Sequence, residues 1–230
     1  MQHSAAIASL AHRRAMQVCK PGMFEFEIEA ELQYVFRKHA AVASYEPIVG
    51  GGANACVLHY RNNDARLSAG DLLLIDAGAE YQGYASDITR TFPINGVYSR
   101  EQRALHNLVE AAQQAAMAQV FPGNAWIAPH DAAVQVLTEG MLRLGLLKGS
   151  LQDAVSKESY RRFYMHKTGH WLGLDVHDVG DYRVGGEHRL LEPGMVLTIE
   201  PGIYIAPGSK GVAQKWQGIG IRIEDDLLVT

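Results

Sequence analysis

The chain has 230 residues, 47% hydrophobic and 20% charged, with 21 Lys+Arg against 25 Asp+Glu and a formal net charge of −4. That length buries a sizeable core. So mild and mixed a charge excludes nucleic acid or an anionic membrane as a default partner, and no apolar run approaches the ~20 residues of a membrane span.

The N-terminal stretch holds no acid before Glu25 and carries Arg13-Arg14, a bias shared with transit peptides. Its apolar steps (Ile7, Leu10) predict instead a helix over residues 5–19 that stops before Pro21-Gly22. A second helix is expected over 24–39. The run Val49-Gly50-Gly51-Gly52 reads as a tight turn, because it lacks the Lys-Ser/Thr of a phosphate loop. Two cysteines, Cys19 and Cys56, cannot make a disulfide framework and are expected as reduced, mostly buried thiols in a cytoplasmic protein.

A hairpin signal follows: Leu72–Ala77 going out and Asp87–Phe92 returning. Centred between Tyr81 and Gln82, it sets Asp76 opposite Asp87 on one face, where like charges call for something positive between them. Ser99-Arg100-Glu101-Gln102 has the form of a capping box opening a helix to about residue 120, and another helix is expected over 129–144. Strands are expected at 171–174, 196–205 and 218–229, separated by Gly/Pro loops. Helices early and strands late describe an α+β fold, and no linker-like stretch divides it.

Four acids occupy unexpected positions. Asp76 ends an apolar run and Asp87 begins the returning strand, while Glu200 and Glu224 sit inside apolar strand sequences. Acids are rarely buried unless paired or bound to metal, so four of them favour a cation site. Asp225 and Asp226 are expected at the surface. His166, His170 and His177 fall within twelve positions among flanking glycines, which also favours a site. Four carboxylates and one imidazole satisfy two divalent cations sharing bridging ligands, with Mn²⁺, Co²⁺, Fe²⁺ or Zn²⁺ all compatible. Such a pair suits metal-assisted hydrolysis, most naturally of an amide.

These residues resemble the pita-bread metallopeptidases, most closely the aminopeptidase P catalytic domain. The matching stretches are Ile75-Asp76-Ala77-Gly78, Tyr84–Phe92, Gly169–Asp178, Leu191–Gly202 and Gly218–Asp225, with Cys19–Met23 preceding them. The resemblance implies a pita-bread fold, a curved antiparallel sheet covered by helices, as one catalytic domain over residues 1–230 without the family's usual N-terminal domain. It implies Asp76, Asp87, His170, Glu200 and Glu224 as ligands of two divalent ions, Mn²⁺ foremost. Asp87 and Glu224 would bridge the ions, and Glu200 would also serve as general base. His59, His166 and His177 would orient substrate and stabilise the tetrahedral intermediate, with Arg222 supporting the ligands.

The implied substrate is a peptide with proline in second position, cut before that proline, and the resemblance leaves room for a homo-oligomer. A prolidase-type Xaa-Pro dipeptidase shares the same ligands. A weakly active or non-catalytic binding module on this fold is the competing class, although such relatives lose ligands and this chain keeps all five. Methionine aminopeptidase fits the 170–178 passage less well, creatinase-like enzymes lack the ligands, and a serine hydrolase lacks its G-x-S-x-G elbow.

Overall fold

A computed structural model describes residues 1–230. Helices α1 (Gln2–Val18) and α2 (Glu25–Lys38) lead the chain, followed by strands β1 (Val42–Ala43) and β2 (Ile48–Gly51). Acids in the first turn of α2 (Glu25, Glu27) and bases in its last (Arg37, Lys38) complement the helix dipole. Glu25 is fully buried yet fully engaged. Its carboxylate accepts from Gly51 N at 2.7 Å, Ala65 N at 2.9 Å, the Tyr60 hydroxyl at 2.8 Å and the Asn54 side chain at 3.0 Å. This clasp shapes the glycine run. The run is not a tight turn: β2 continues through Gly51, and a short 3₁₀ helix, Gly52–Cys56, follows it.

β3 (Leu72–Asp76), β4 (Ala79–Glu80) and β5 (Thr89–Pro93) come next, then α3 (Arg100–Met117), α4 (Ala128–Arg143) and the short α5 (Leu151–Ser156). The capping box at α3 is present, with Ser99 N donating to Gln102 Oε1 at 2.8 Å and Gln102 N to Ser99 Oγ at 3.1 Å. The last third holds β6 (Arg183–Val184), β7 (Glu187–His188), β8 (Val196–Ile199), β9 (Gly202–Ile205), β10 (Ile219–Arg222) and β11 (Asp225–Leu228).

Every pairing is antiparallel: β2–β3–β5 form one sheet, and β9–β10, β8–β11, β1–β4 and β6–β7 form pairs. A bridge between Thr89 and Glu224 links the early sheet to the late strands. One apolar core lies beneath α1 and α2, around Ile28, Phe36, Leu73 and Ile75. A second lies beneath α3 and α4, around Leu105, Leu137, Ile199 and Ile221. The polar site occupies the seam between them. No helix is long and apolar enough to cross a membrane.

Three strand expectations change. Residues 171–174 form no strand, only a single bridge from Trp171 to Leu197. The expected strands 196–205 and 218–229 are each broken in two, at Glu200-Pro201 and at Ile223-Glu224. Proline has no N–H to offer a ladder, which ends β8 at the first break.

Candidate metal centre and active site

The first two carboxylates come from the β3–β5 hairpin. Its register pairs Asp76 with Thr89, two residues beyond the expected Asp87. The turn falls on Gln82-Gly83, both at positive φ (51° and 81°), the geometry of a two-residue primed turn. A shift of two preserves the face, so both aspartates still point the same way. Between them stands the hydroxyl of Tyr45, whose single hydrogen is shared between Asp76 Oδ1 and Asp87 Oδ1, the latter at 2.5 Å. Gly78 is required here, since a Cβ would lie 1.6 Å from the Ser86 carbonyl oxygen. Helix α1 braces the hairpin from behind, with His12 Nε2 donating to Ala77 O at 3.0 Å and Ser4 Oγ to Ala85 O at 3.2 Å.

The strand breaks deliver the other two carboxylates. Glu224 is 2% exposed and accepts from Thr89 Oγ1 at 2.6 Å. Glu200 follows β8, its N–H held by the Thr168 carbonyl at 2.7 Å. His170 is pinned from both sides: its N–H donates to Thr198 Oγ1 at 3.1 Å, and its Nδ1 lies 3.0 Å from Trp171 O. A carbonyl only accepts, so Nδ1 carries the hydrogen and Nε2 is left as the ligand atom. That Nε2 lies 3.4 Å from Asp87 and 3.7 Å from Glu200. Ligand atoms of Asp87, His170 and Glu224 all fall within 4.8 Å of one another.

The electrostatics of this cluster are unbalanced. Arg222 is buried and donates to Asp76 Oδ2 at 2.6 Å. Burial alone would raise the Asp76 pKa, but the guanidinium and the Tyr45 hydrogen bond hold it below the usual range. For the other acids, His170 and the more distant Arg222 charge offset burial and mutual repulsion only in part. Burial and the Asp76 charge push Asp87 up to about 6. Burial pushes Glu200 up to about 8, and burial with the Asp87 charge pushes Glu224 well above its ordinary value. His170 is pulled down by burial, yet its bond to Asp87 and the Glu200 charge outweigh this and hold it at about 9. Buried carboxylates that retain protons near neutrality are short of positive charge. An oxygen-rich set with one imidazole fits divalent cations as that missing charge.

Asp226, expected at the surface, is half-buried and accepts from Asp87 N at 3.2 Å, and burial with the Asp87 charge pushes it up to about 8. Asp225 pairs with Arg90 at 2.6 Å.

A cavity of about 720 Å³ opens onto the cluster and is lined by His59, His130, His166 and His177 among others. His59 and His177 are exposed at its wall, and the His177 ring stands edge-on to His170 at 4.3 Å. His166 differs: Nδ1 donates to Lys167 O at 2.7 Å and Nε2 accepts from Tyr204 OH at 2.9 Å, so both nitrogens are engaged within the protein. Burial lowers its pKa to about 4. Tyr204 in turn accepts from Arg222 Nη1 at 2.9 Å, joining His166 to the Asp76 ion pair. Tyr45, Thr89 and Tyr204 carry no sequence signal of their own and were not expected. Tyr45 alone stands in a loop, and the other two read as ordinary strand residues.

A buried carboxylate–imidazole set beside an open cavity defines the metal-dependent hydrolase type of site. Residues 1–230 match metallopeptidase family M24, and the chain belongs to that family. It is 49% identical to the Xaa-Pro aminopeptidase of Haemophilus influenzae, aligning over 100% of this chain and 53% of that protein. The solved aminopeptidase PepP of Pseudomonas aeruginosa superposes with a TM-score of 0.99 at 57% identity, covering 100% of this chain and 52% of that one. Human Xaa-Pro dipeptidase is 36% identical over 100% of this chain and 54% of its own. The chain thus spans about half the length of these relatives, and it shares the pita-bread fold of the aminopeptidase P structures.

Proposed function

We propose that residues 1–230 form the catalytic domain of a dinuclear metal-dependent aminopeptidase that removes the N-terminal residue from peptides with proline in second position. The juxtaposition of Asp87, His170 and Glu224 within 4.8 Å, flanked by Asp76 and Glu200, carries this reading. Asp76, Asp87, His170, Glu200 and Glu224 would hold two divalent ions, Mn²⁺ in the first instance. Bound there, the ions would supply Lewis-acid polarisation of the scissile carbonyl and acidify the attacking water.

The chain's own groups do the rest. Glu200 lines the cavity 3.7 Å from His170, placed to take the proton of the attacking water and return it to the leaving nitrogen as general base. Arg222 fixes the Asp76 carboxylate, and Tyr45 holds Asp76 and Asp87 at a constant separation. His59 and His177 face the cavity with ring edges available to substrate, while His166 orders the wall through Tyr204. The free, half-buried Cys19 and Cys56 fit a reducing compartment, which supports a cytoplasmic reading.

The test is metal stoichiometry together with peptide hydrolysis. After dialysis against Mn²⁺, the wild type should retain between one and two ions per chain and Asp87→Ala fewer. Xaa-Pro-Xaa peptides should be cut faster than Xaa-Ala-Xaa. Equal rates remove the proline preference, and exclusive cleavage of the Xaa-Pro dipeptide supports the dipeptidase reading suggested by the human relative. Metal-loaded protein that binds peptides without cutting them would mark a binding module.

A further inference from the structure

The cavity lining contains a run of hydrogen-bonded side chains that the proposed reaction does not use. Tyr164 is 0% exposed, and its hydroxyl meets only Thr168 Oγ1. Thr168 is 2% exposed, and the same oxygen lies 2.8 Å from His130 Nδ1. The hydrogens can be placed by elimination. If Thr168 donated to Tyr164, the buried phenolic hydrogen would have no acceptor, at a cost of about 1–3 kcal/mol. Tyr164 therefore donates to Thr168, and burial keeps that phenol protonated well above its ordinary range. Thr168 has one hydrogen and passes it to His130 Nδ1. His130 then carries its own hydrogen on Nε2. That atom makes no hydrogen bond within the protein and is not among the buried unpaired nitrogens, and the ring lines the cavity.

We propose that His130 is a substrate-contacting residue, a fixed Nε2–H donor to an oxygen of the bound peptide. The assignment rests on the peptidase reading of the same cavity. Burial, helped by the Lys167 and Arg161 charges, lowers the His130 pKa to about 4, so the ring stays neutral while peptide is bound. A neutral donor suits a peptide carbonyl, and a terminal carboxylate presents the same acceptor chemistry. The Thr168 carbonyl also holds Glu200 N, so one residue sets both the donor and the general base.

Two variants separate contact from packing. His130→Phe keeps the ring but loses the donor, and KM for Xaa-Pro-Xaa peptides should rise about 2- to 13-fold with kcat within about twofold, the span of one neutral hydrogen bond. His130→Gln places an amide hydrogen near the same point and should restore KM. An unchanged KM in His130→Phe, or parallel loss of kcat and stability in both variants, overturns the proposal. Amidated and free-acid peptides identify the acceptor. An equal penalty on both assigns the carbonyl, and a penalty confined to the free acid assigns the carboxylate.

Nitrogen-15 imidazole spectra of the metal-free chain should show His130 protonated at Nε2, and a peptide titration of the Zn²⁺-loaded chain should shift that signal. A hydrogen on Nδ1, or no shift at saturating peptide, also overturns it. Wild type that hydrolyses no Xaa-Pro peptide would defeat the peptidase reading, whereas the tautomer and the shift are read without turnover.

Discussion

Stripped of cations, the chain should lose stability as pH rises through neutrality. Glu200 has a folded pKa of about 8 against an ordinary 4.5, and His170 about 9 against 6.5. Both are raised, so each contributes stability that is complete below its unfolded pKa and lost as pH climbs through the folded one. Between about pH 6.5 and about pH 8, each binds a proton in the folded chain that the unfolded chain has released, worth about 2 kcal/mol across the window.

Glu224 and Asp226 are displaced in the same direction, and since these groups face one another their protons leave as a set. For a chain of this length, 2–4 kcal/mol corresponds to a fall in Tm of about 5–15 °C. Buried His12 and His166, both lowered to about 4, act with the opposite sign and only below about pH 6.5, so they leave this window clear. The assay is thermal unfolding by circular dichroism in chelator at several pH values across the window, repeated with excess Mn²⁺. Cations should replace the protons, flatten or reverse the slope, and at a hundredfold excess over Kd add about 2.7 kcal/mol. Glu200→Gln should flatten the metal-free slope. A metal-free Tm that stays level or rises from about pH 6.5 to about pH 8 would refute the charge-deficit argument.

Three further outcomes follow from the geometry. Tyr45→Phe removes the hydroxyl shared by Asp76 and Asp87 and should cost about 2 kcal/mol in urea unfolding of the chelated chain, with a smaller loss when Mn²⁺ is present. Arg222→Met leaves Asp76 buried without its partner and should lower the unfolding free energy by about 3–5 kcal/mol, while raising the pH at which Asp76 takes up a proton. Gly78→Ala places a Cβ 1.6 Å from Ser86 O and 2.5 Å from Ser44 Oγ, so the hairpin must open. Its far-UV spectrum and metal uptake should both fall, and near-normal uptake would contradict the close approach.

The sequence was legible where a local rule decides structure. The capping box of α3 and the helix stop before Pro21 depend on neighbours in the chain, and both are present. Acids set among apolar strand residues marked Asp76, Asp87, Glu200 and Glu224, which the fold brings to one seam. The hairpin register slipped because its centre was placed one residue early. Gly83 was the available signal, being the residue that tolerates positive φ at no steric cost. Pro201 likewise announced the break after Glu200.

Other features had no local cause. Tyr45 reaches Asp87 across 42 residues, and Asp226 reaches the Asp87 amide across 139. The sequence puts Asp226 at the surface because the partner that buries it, the Asp87 amide, lies in the first half of the chain. His130 belongs with these, an ordinary residue of an amphipathic helix until Tyr164 and Thr168 fold against it.

The bridge from Thr89 to Glu224 spans 135 residues, and the ion pair from Asp76 to Arg222 spans 146. The site is therefore a product of late assembly. During synthesis the aspartate hairpin leaves the ribosome on the order of ten seconds before Glu224 does. Until His170, Glu200 and Glu224 follow, the nascent hairpin offers a cation only the carboxylates of Asp76 and Asp87. Ion capture then waits for the C-terminal strands to dock, so metal loading reports completion of the whole fold.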